Sequence, residues 1–187
     1  RKALAKCQPG LNANALAGLS LQVRGELALV EGHLPEAQPL LGEASRMQVR
    51  AGDLQAAAAS SLRRGELLLE GGDPDGAREV LESARALPLE RKLSLWADIL
   101  DTLLCDDPDE QEILFEEFAE RAELEGGPGH RLLIATPMIE CQLRIGDEMG
   151  AESTLTGAVD LLIKIRDGLP EPLRRHFSSS PLCRRLV

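Results

Sequence analysis

Tyrosine is absent from this chain of 187 residues, and Phe and Trp together number four. Val and Ile are scarce beside Ala and Leu. Aromatic and β-branched side chains are the ones that pack well on a pleated sheet, so their shortage argues against strand. Unbranched Leu, Ala, Arg and Glu lose little rotamer freedom in a helix, so their abundance argues for it. Lysine is also rare, 4 of the 21 basic residues, which reads as a coding bias more than as physics. No apolar run approaches the ~20 residues of a membrane span. The opening "RKALAKCQPG" has neither the apolar core of a signal peptide nor an initiating Met, so a fragment of something longer is expected, with a helix already under way at Arg1. Cys7, Cys105, Cys141 and Cys183 lie far apart with no CxxC pair. A chain of this size does not need disulfides, and reduced cytosolic thiols are expected.

Binding to nucleic acid or an anionic membrane needs a basic face, and at a net charge of −10 the average surface repels both. Charge is uneven along the chain. Acids crowd Asp106–Glu125 with only Arg121 against them, whereas Arg174, Arg175, Arg184 and Arg185 follow Gly168 against Glu171. Either these are two solvated surfaces, or the basic tail docks on an acidic face.

What the chain has instead is repetition. "RGELALVEGHLPEAQPLLGEASRM" from Arg24 returns 40 residues later as "RGELLLEGGDPDGAREVLESARAL" from Arg64. A shift of 34 then sets "GDPDG" (72–76) on "DDPDE" (106–110), and a further shift of 40 reaches "IGDEMGAESTLTGAV" at Ile145. Four units at these spacings imply a helical repeat array. Each parses as helix, turn, helix. Gly32 and Gly72 suit a left-handed helix end. Asp73-Pro74 and Asp107-Pro108 suit an N-cap followed by a first-turn proline. In the second helices Ala37/Leu41/Ala44 and Ala77/Leu81/Ala84 form a stripe with small residues where helices approach closely.

These matches (Gly25, Gly32, Ala37, Leu41, Ala44; Gly65, Leu68, Gly72, Ala77, Leu81, Ala84; Gly146, Ala151, Leu155, Ala158) resemble the tetratricopeptide repeat over about residues 12–166. The third unit departs from the pattern: Ile99 replaces the small residue, and Gln111 and Phe118 replace the alanines. Ala28, Leu68, Thr102 and Gln142 stand at the family's tyrosine position. The long period is similar to divergent repeats attached to bacterial signalling ATPases, kinases and transcriptional activators. The resemblance implies an all-α, right-handed α-α superhelix of about four helix pairs, residues 1–168 with units near 12–50, 53–88, 89–126 and 130–166, closed by a capping helix and tail over 169–187.

The family's groove is lined by first helices. Carried over, it takes Leu19, Gln22, Glu26, Leu29 and Val30; Ala59, Leu62, Glu66, Leu69 and Glu70; Leu93, Trp96, Leu100, Leu103 and Leu104; and Leu133, Thr136, Glu140, Leu143 and Arg144. That implies an apolar groove with acids at Glu26, Glu66, Glu70 and Glu140. Without Lys or Asn, it does not suit the carboxylate-clamp mode of the chaperone-tail binders. An apolar peptide or amphipathic helix with basic flanks is the expected partner. Otherwise the leucines pack on the array's own helices and the glutamates are solvated. In "RGE", Arg24 and Arg64 are expected to bridge acids on adjoining helices, and Glu26 and Glu66 either read a basic partner or face water. A Glu26/Glu66 double charge reversal is expected to weaken binding and leave helicity intact. Pro137 either kinks the first helix of unit four or marks its start at Thr136.

No chemistry is expected. His33, His130 and His176 are scattered, no HExxH is present, and "GGPG" (126–129) lacks the Lys-Ser/Thr of a phosphate loop and reads as a linker. The Asp clusters are explained by capping, so neither metal nor cofactor is called for. In the tail, Leu169, Leu173 and Phe177 form a stripe on a short helix, the expected cap; Ser178–Ser180 reads as a connector, with Leu182 and Leu186 beyond it. The function implied is a protein-interaction or sensory module of a larger cytoplasmic signalling or transcription-regulatory protein. Two alternatives are a dimerisation scaffold through unit three or the tail, and a small-molecule or peptide sensor with a leucine-lined pocket near Trp96.

Overall fold

A computed structural model describes residues 9–121 and 128–178 of the chain. Among these residues there are nine helices and no strand: α1 (Pro9–Val30), α2 (Leu34–Ala51), α3 (Leu54–Glu70), α4 (Pro74–Arg85), α5 (Arg91–Leu103), α6 (Pro108–Arg121), α7 (Pro128–Ile145), α8 (Glu148–Gly168) and α9 (Glu171–Ser178). The fold is therefore all-α. None of the described helices is long and apolar enough to cross a membrane. The expected helix at Arg1, the residues Cys7, Cys183, Leu182 and Leu186, and most of the acidic run's end lie outside the described residues.

One turn is used four times. Gly32, Gly52, Gly72 and Gly146 all hold a left-handed backbone, with φ between 77 and 85 degrees. At each, the glycine N–H and the next residue's N–H return to carbonyls of the last helical turn, as in Gly72 to Leu69 and Asp73 to Leu68. This satisfies acceptors that a helix end leaves orphaned, in a backbone region that only glycine enters cheaply. After Gly52, Gly72 and Gly146 the following Asp then opens the next helix, whereas His33 after Gly32 makes no side-chain cap. Asp53, Asp73 and Asp147 each accept a hydrogen bond from the backbone N–H three residues on. Gly32, Gly52 and Gly72 stand 20 residues apart, so the period of 40 contains the same turn twice, once within a pair and once between pairs. Asp73→Ala is expected to cost about 1 kcal/mol, the usual worth of an N-cap, read as a fall in the unfolding midpoint by circular dichroism.

The chain forms two compact units, 1–100 and 101–187, the boundary falling inside α5. In unit 1 successive helices pack on one another, α1 on α2, α2 on α3 and α3 on α4. Ala28 and Leu29 of α1, Ala37 and Leu41 of α2 and Leu67 of α3 form one buried cluster. Gly18 and Gly25 let α1 approach α2: a side chain at Gly25 would stand 2.9 Å from Leu41 Cγ. Ala77, Leu81 and Ala84 of α4 are buried, as are Leu62 and Leu68 of α3. Gln48 is a buried polar residue between helices, its amide 2.8 Å from both the Gln22 amide and the Ser60 hydroxyl. Such a group stays folded inside only when bonded.

In unit 2, α6 packs on α7, α7 on α8 and α8 on α9. Leu132 and Ala135 of α7 meet Ala158 and Leu162 of α8, and Phe177 of α9 packs against that cluster. Phe177 alone carries the contact expected of the tail stripe; Leu173 is half exposed. Leu155 is also exposed, because the buried face of α8 runs Ala151–Ala158–Leu162. That corrects the expected core stripe, which placed Leu155 between the two alanines. α7 runs unbroken through Pro137, so no helix starts at Thr136, and Pro128 and Gly129 are its first turn and not linker. The irregular third repeat is mended by its own side chain. Gln111, where the family has alanine, donates from Nε2 to the Thr102 and Cys105 carbonyls and so caps the end of α5 without a glycine. Cys105 and Cys141 are free thiols.

Candidate interaction surface

Four large apolar side chains on α1 are open to solvent: Leu16 (69%), Leu19 (56%), Val23 (50%) and Leu27 (55%). They are spaced three, four and four residues apart, which sets them on one helical face. Gly18 and Gly25, the residues that meet α2, lie on the opposite face of the same helix. α1 is therefore amphipathic in an unusual sense, with small residues toward its neighbour and large aliphatics toward water. The sequence as far as Val23 is also uncharged: Cys7–Val23 holds no Asp, Glu, Lys or Arg in a chain that is 28% charged, and the only charges between Val23 and Leu27 are Arg24 and Glu26. Single exposed leucines are ordinary; these four stand together in one row.

Beside this row lies a polar cluster that draws together α1, α3 and α5. Arg63 donates from Nη1 to Glu66 Oε2 at 2.5 Å and reaches Glu26 Oε2 at 3.5 Å through Nε. The other Glu66 oxygen accepts the indole N–H of Trp96 at 2.6 Å. Both Glu66 oxygens are thus engaged, which a buried carboxylate requires. Burial pushes the Glu66 carboxyl above its usual range, while the Arg63 charge and the hydrogen bonds from Arg63 and Trp96 pull it down. The guanidinium is held above its ordinary value: burial opposes this, but Glu66, Glu26 and Glu70 prevail.

The sign of the pH effect follows. The folded Glu66 binds its proton more readily than the unfolded residue, whose value is about 4.3. Its contribution to stability is complete below that pH and is lost as pH rises through the raised folded value. The only tryptophan reports the event directly. Trp96 fluorescence is expected to titrate with a midpoint above the ordinary carboxylate range, and Glu66→Gln is expected to flatten that titration. A midpoint at or below 4.3 would contradict the burial of this carboxylate.

The residues singled out in sequence are divided by the structure. Leu19 is open; Glu26 and Trp96 are half exposed and engaged in the cluster; Gln22 and Leu69 are half-buried; Glu70 is exposed. Leu62 and Leu100 are fully buried, and Glu66 nearly so, so these three have no free surface. Glu66 as a reader of basic partners is corrected by its burial under Trp96. A charge reversal there would strike the interior, so the double-reversal test is no longer a surface test. In unit 2, Leu103 is half-buried and Glu140 is exposed. Arg144 donates to Gln111 Oε1 at 2.7 Å. The bridging expected of Arg24 and Arg64 falls to Arg63 instead; among the described residues neither of those two makes an ion pair, and Arg64 lies along Gly42. Arg63, Leu16 and Val23 were not singled out by repeat matching. The signals for them were present: the uncharged run, the three-four-four spacing, and the 40-residue shift that sets Val23 on Arg63.

A cleft of about 340 Å³ opens between α2, α3 and α4, lined by Arg46, Arg64, Ser45, Ser61 and Glu79 among others. It is polar, and Trp96 does not line it. Among the described residues no group of three His, Cys, Asp or Glu stands together to hold a metal ion. Compared with known protein families, with curated proteins and with solved structures, the chain matches none.

Proposed function

We propose that this chain is a tetratricopeptide-like helical array, a right-handed superhelix of helix pairs, that serves as a protein-interaction module of a larger cytoplasmic regulator of signalling or transcription. The observation that carries the reading is the uncovered row Leu16, Leu19, Val23 and Leu27 on α1. A surface of this kind is stable in water only at a cost of roughly 25 cal/mol per Å² of exposed apolar area, and covering it returns that free energy to a complex. The repeated turns and the consecutive packing of α1 to α4 support an array in which each helix buries its face on the next. Recognition, with no bond made or broken, is the proposed mechanism.

The chemistry proposed for the partner is an apolar helix with basic flanks. The uncharged row offers the apolar contact, and Glu26 and Glu70 remain at the surface beside it, as part of a chain of net charge −10. The test is a titration of fluorescent amphipathic 20-residue peptides, one series with lysine flanks and one with glutamate flanks, read by anisotropy. Binding of the lysine series, weakened at least tenfold by Leu19→Glu with helicity unchanged, supports the reading. Equal binding of both series, or none, removes it.

A further inference from the structure

The α1 row suits one occupant in particular, because it is complementary to itself. Leu19 and Leu27 each lie four residues from Val23, so these three residues of the row read the same in both directions about Val23. A second α1 laid antiparallel across it, with a two-fold axis at Val23, sets Val23 on Val23 and Leu19 on Leu27. A two-fold contact requires this property, since the same patch must serve both sides. The same axis sets Arg24 against Gln22 and Glu26 against Ser20, so no like charges meet.

That last point separates this face from the remainder of the molecule. Two copies, each of net charge −10, repel one another over most of their surfaces. A strip of no net charge brings them together without that cost, and Leu16–Leu27 is such a strip, its Arg24 and Glu26 cancelling. Small exposed residues, Ala13, Ala15 and Ser20, flank the leucines and permit close helix approach. Four side chains a side make a contact below the standard 1,200–2,000 Å² interface, which sets the expected association as weak and concentration-dependent.

We infer that α1 is a self-association face, on which a second copy of this chain docks antiparallel about Val23. The inference rests on the reading of the α1 row as a contact surface and sets a second copy there in place of the basic-flanked helix. Sedimentation equilibrium of the full chain over a micromolar to millimolar range tests it, together with Val23→Glu and with Val23→Cys under air oxidation. Val23 is half exposed, so the Glu variant is expected to retain its helicity; Leu19→Ser replaces it if it does not. The expected result is a reversible dimer for the native chain, a monomer for Val23→Glu, and a Val23→Cys cross-link that peptide mapping places between the two introduced cysteines. Glu43→Cys, exposed on α2, is the control and should cross-link far less. A native chain that stays monomeric throughout overturns the inference, as does a dimer indifferent to Val23→Glu or a cross-link no stronger than the control's. Peptide binding is scored in its own titration, so a monomer that still binds the lysine-flanked peptides sinks the second copy and leaves the interaction module standing.

Discussion

Glu66→Lys is expected to cost unit 1 on the order of 4 kcal/mol, a large share of the roughly 5–15 kcal/mol that holds an ordinary domain folded. The reason is the fate of both partners. Glu66 is 6% exposed, with one oxygen on Arg63 and the other on the Trp96 indole N–H. A lysine in its place sets an ammonium beside the Arg63 guanidinium, offers no acceptor to the indole, and must shed its water to enter. Glu26→Lys is the control. Glu26 is 42% exposed in its side chain and 3.5 Å from Arg63, so the change should stay within about 1 kcal/mol, the range of surface pairs. Urea unfolding followed by circular dichroism and by Trp96 emission measures both. If the two reversals cost the same, the cluster is not the buried anchor described here.

Gly65→Val is expected to cost about 3 kcal/mol, through overpacking that no rotamer relieves. A side-chain carbon at Gly65 would stand 2.6 Å from Leu100 Cδ2, with Val80 Cγ1 at 3.9 Å. Leu100 is fully buried, so it has nowhere to retreat, and α5 itself must move away from α3. Because Trp96 lies one turn earlier on α5, the same displacement should loosen its bond to Glu66 and shift its emission. Gly157→Ala gives the opposite sign. Nothing lies within 4 Å of a side-chain carbon at Gly157 in the middle of α8, so removing backbone freedom there should stabilise by about 1 kcal/mol. Two helical glycines with opposite responses distinguish one kept for close approach from one that is not; thermal unfolding of the two variants decides it.

Much of the local structure was readable because its causes are local. A shortage of β-branched and aromatic residues argued for helix, and the described residues are helical throughout their elements. Gly-Asp at 72–73 and 146–147 announced a left-handed end and an N-cap, because both depend on a few neighbouring backbone atoms. Gly52-Asp53 carries the same signal and was hidden by the period of 40, which compares like helices and passes over the turn between pairs. Leu155 stands about one turn from both Ala151 and Ala158 and is still 38% exposed, so its position in the repeat alone did not set its burial.

Glu26 and Glu66 show where reading by position stops. They occupy the same place in the same "RGE" of two successive copies. One remains half in water and the other is buried. Composition and spacing by themselves determined that this chain is helical, where its turns fall, and that α1 is uncharged as far as Val23 and apolar at helical spacing. Only the tertiary structure decided which of those residues face a neighbour. α3 has α1 on one flank and Trp96 and Leu100 of α5 on the other, so Arg63 and Glu66 are drawn into a cluster between helices. On α1 the row containing Val23, the counterpart of Arg63, keeps half or more of its side-chain surface in water. Burial depends on what lies across the gap, and a side chain carries no record of that in its own identity.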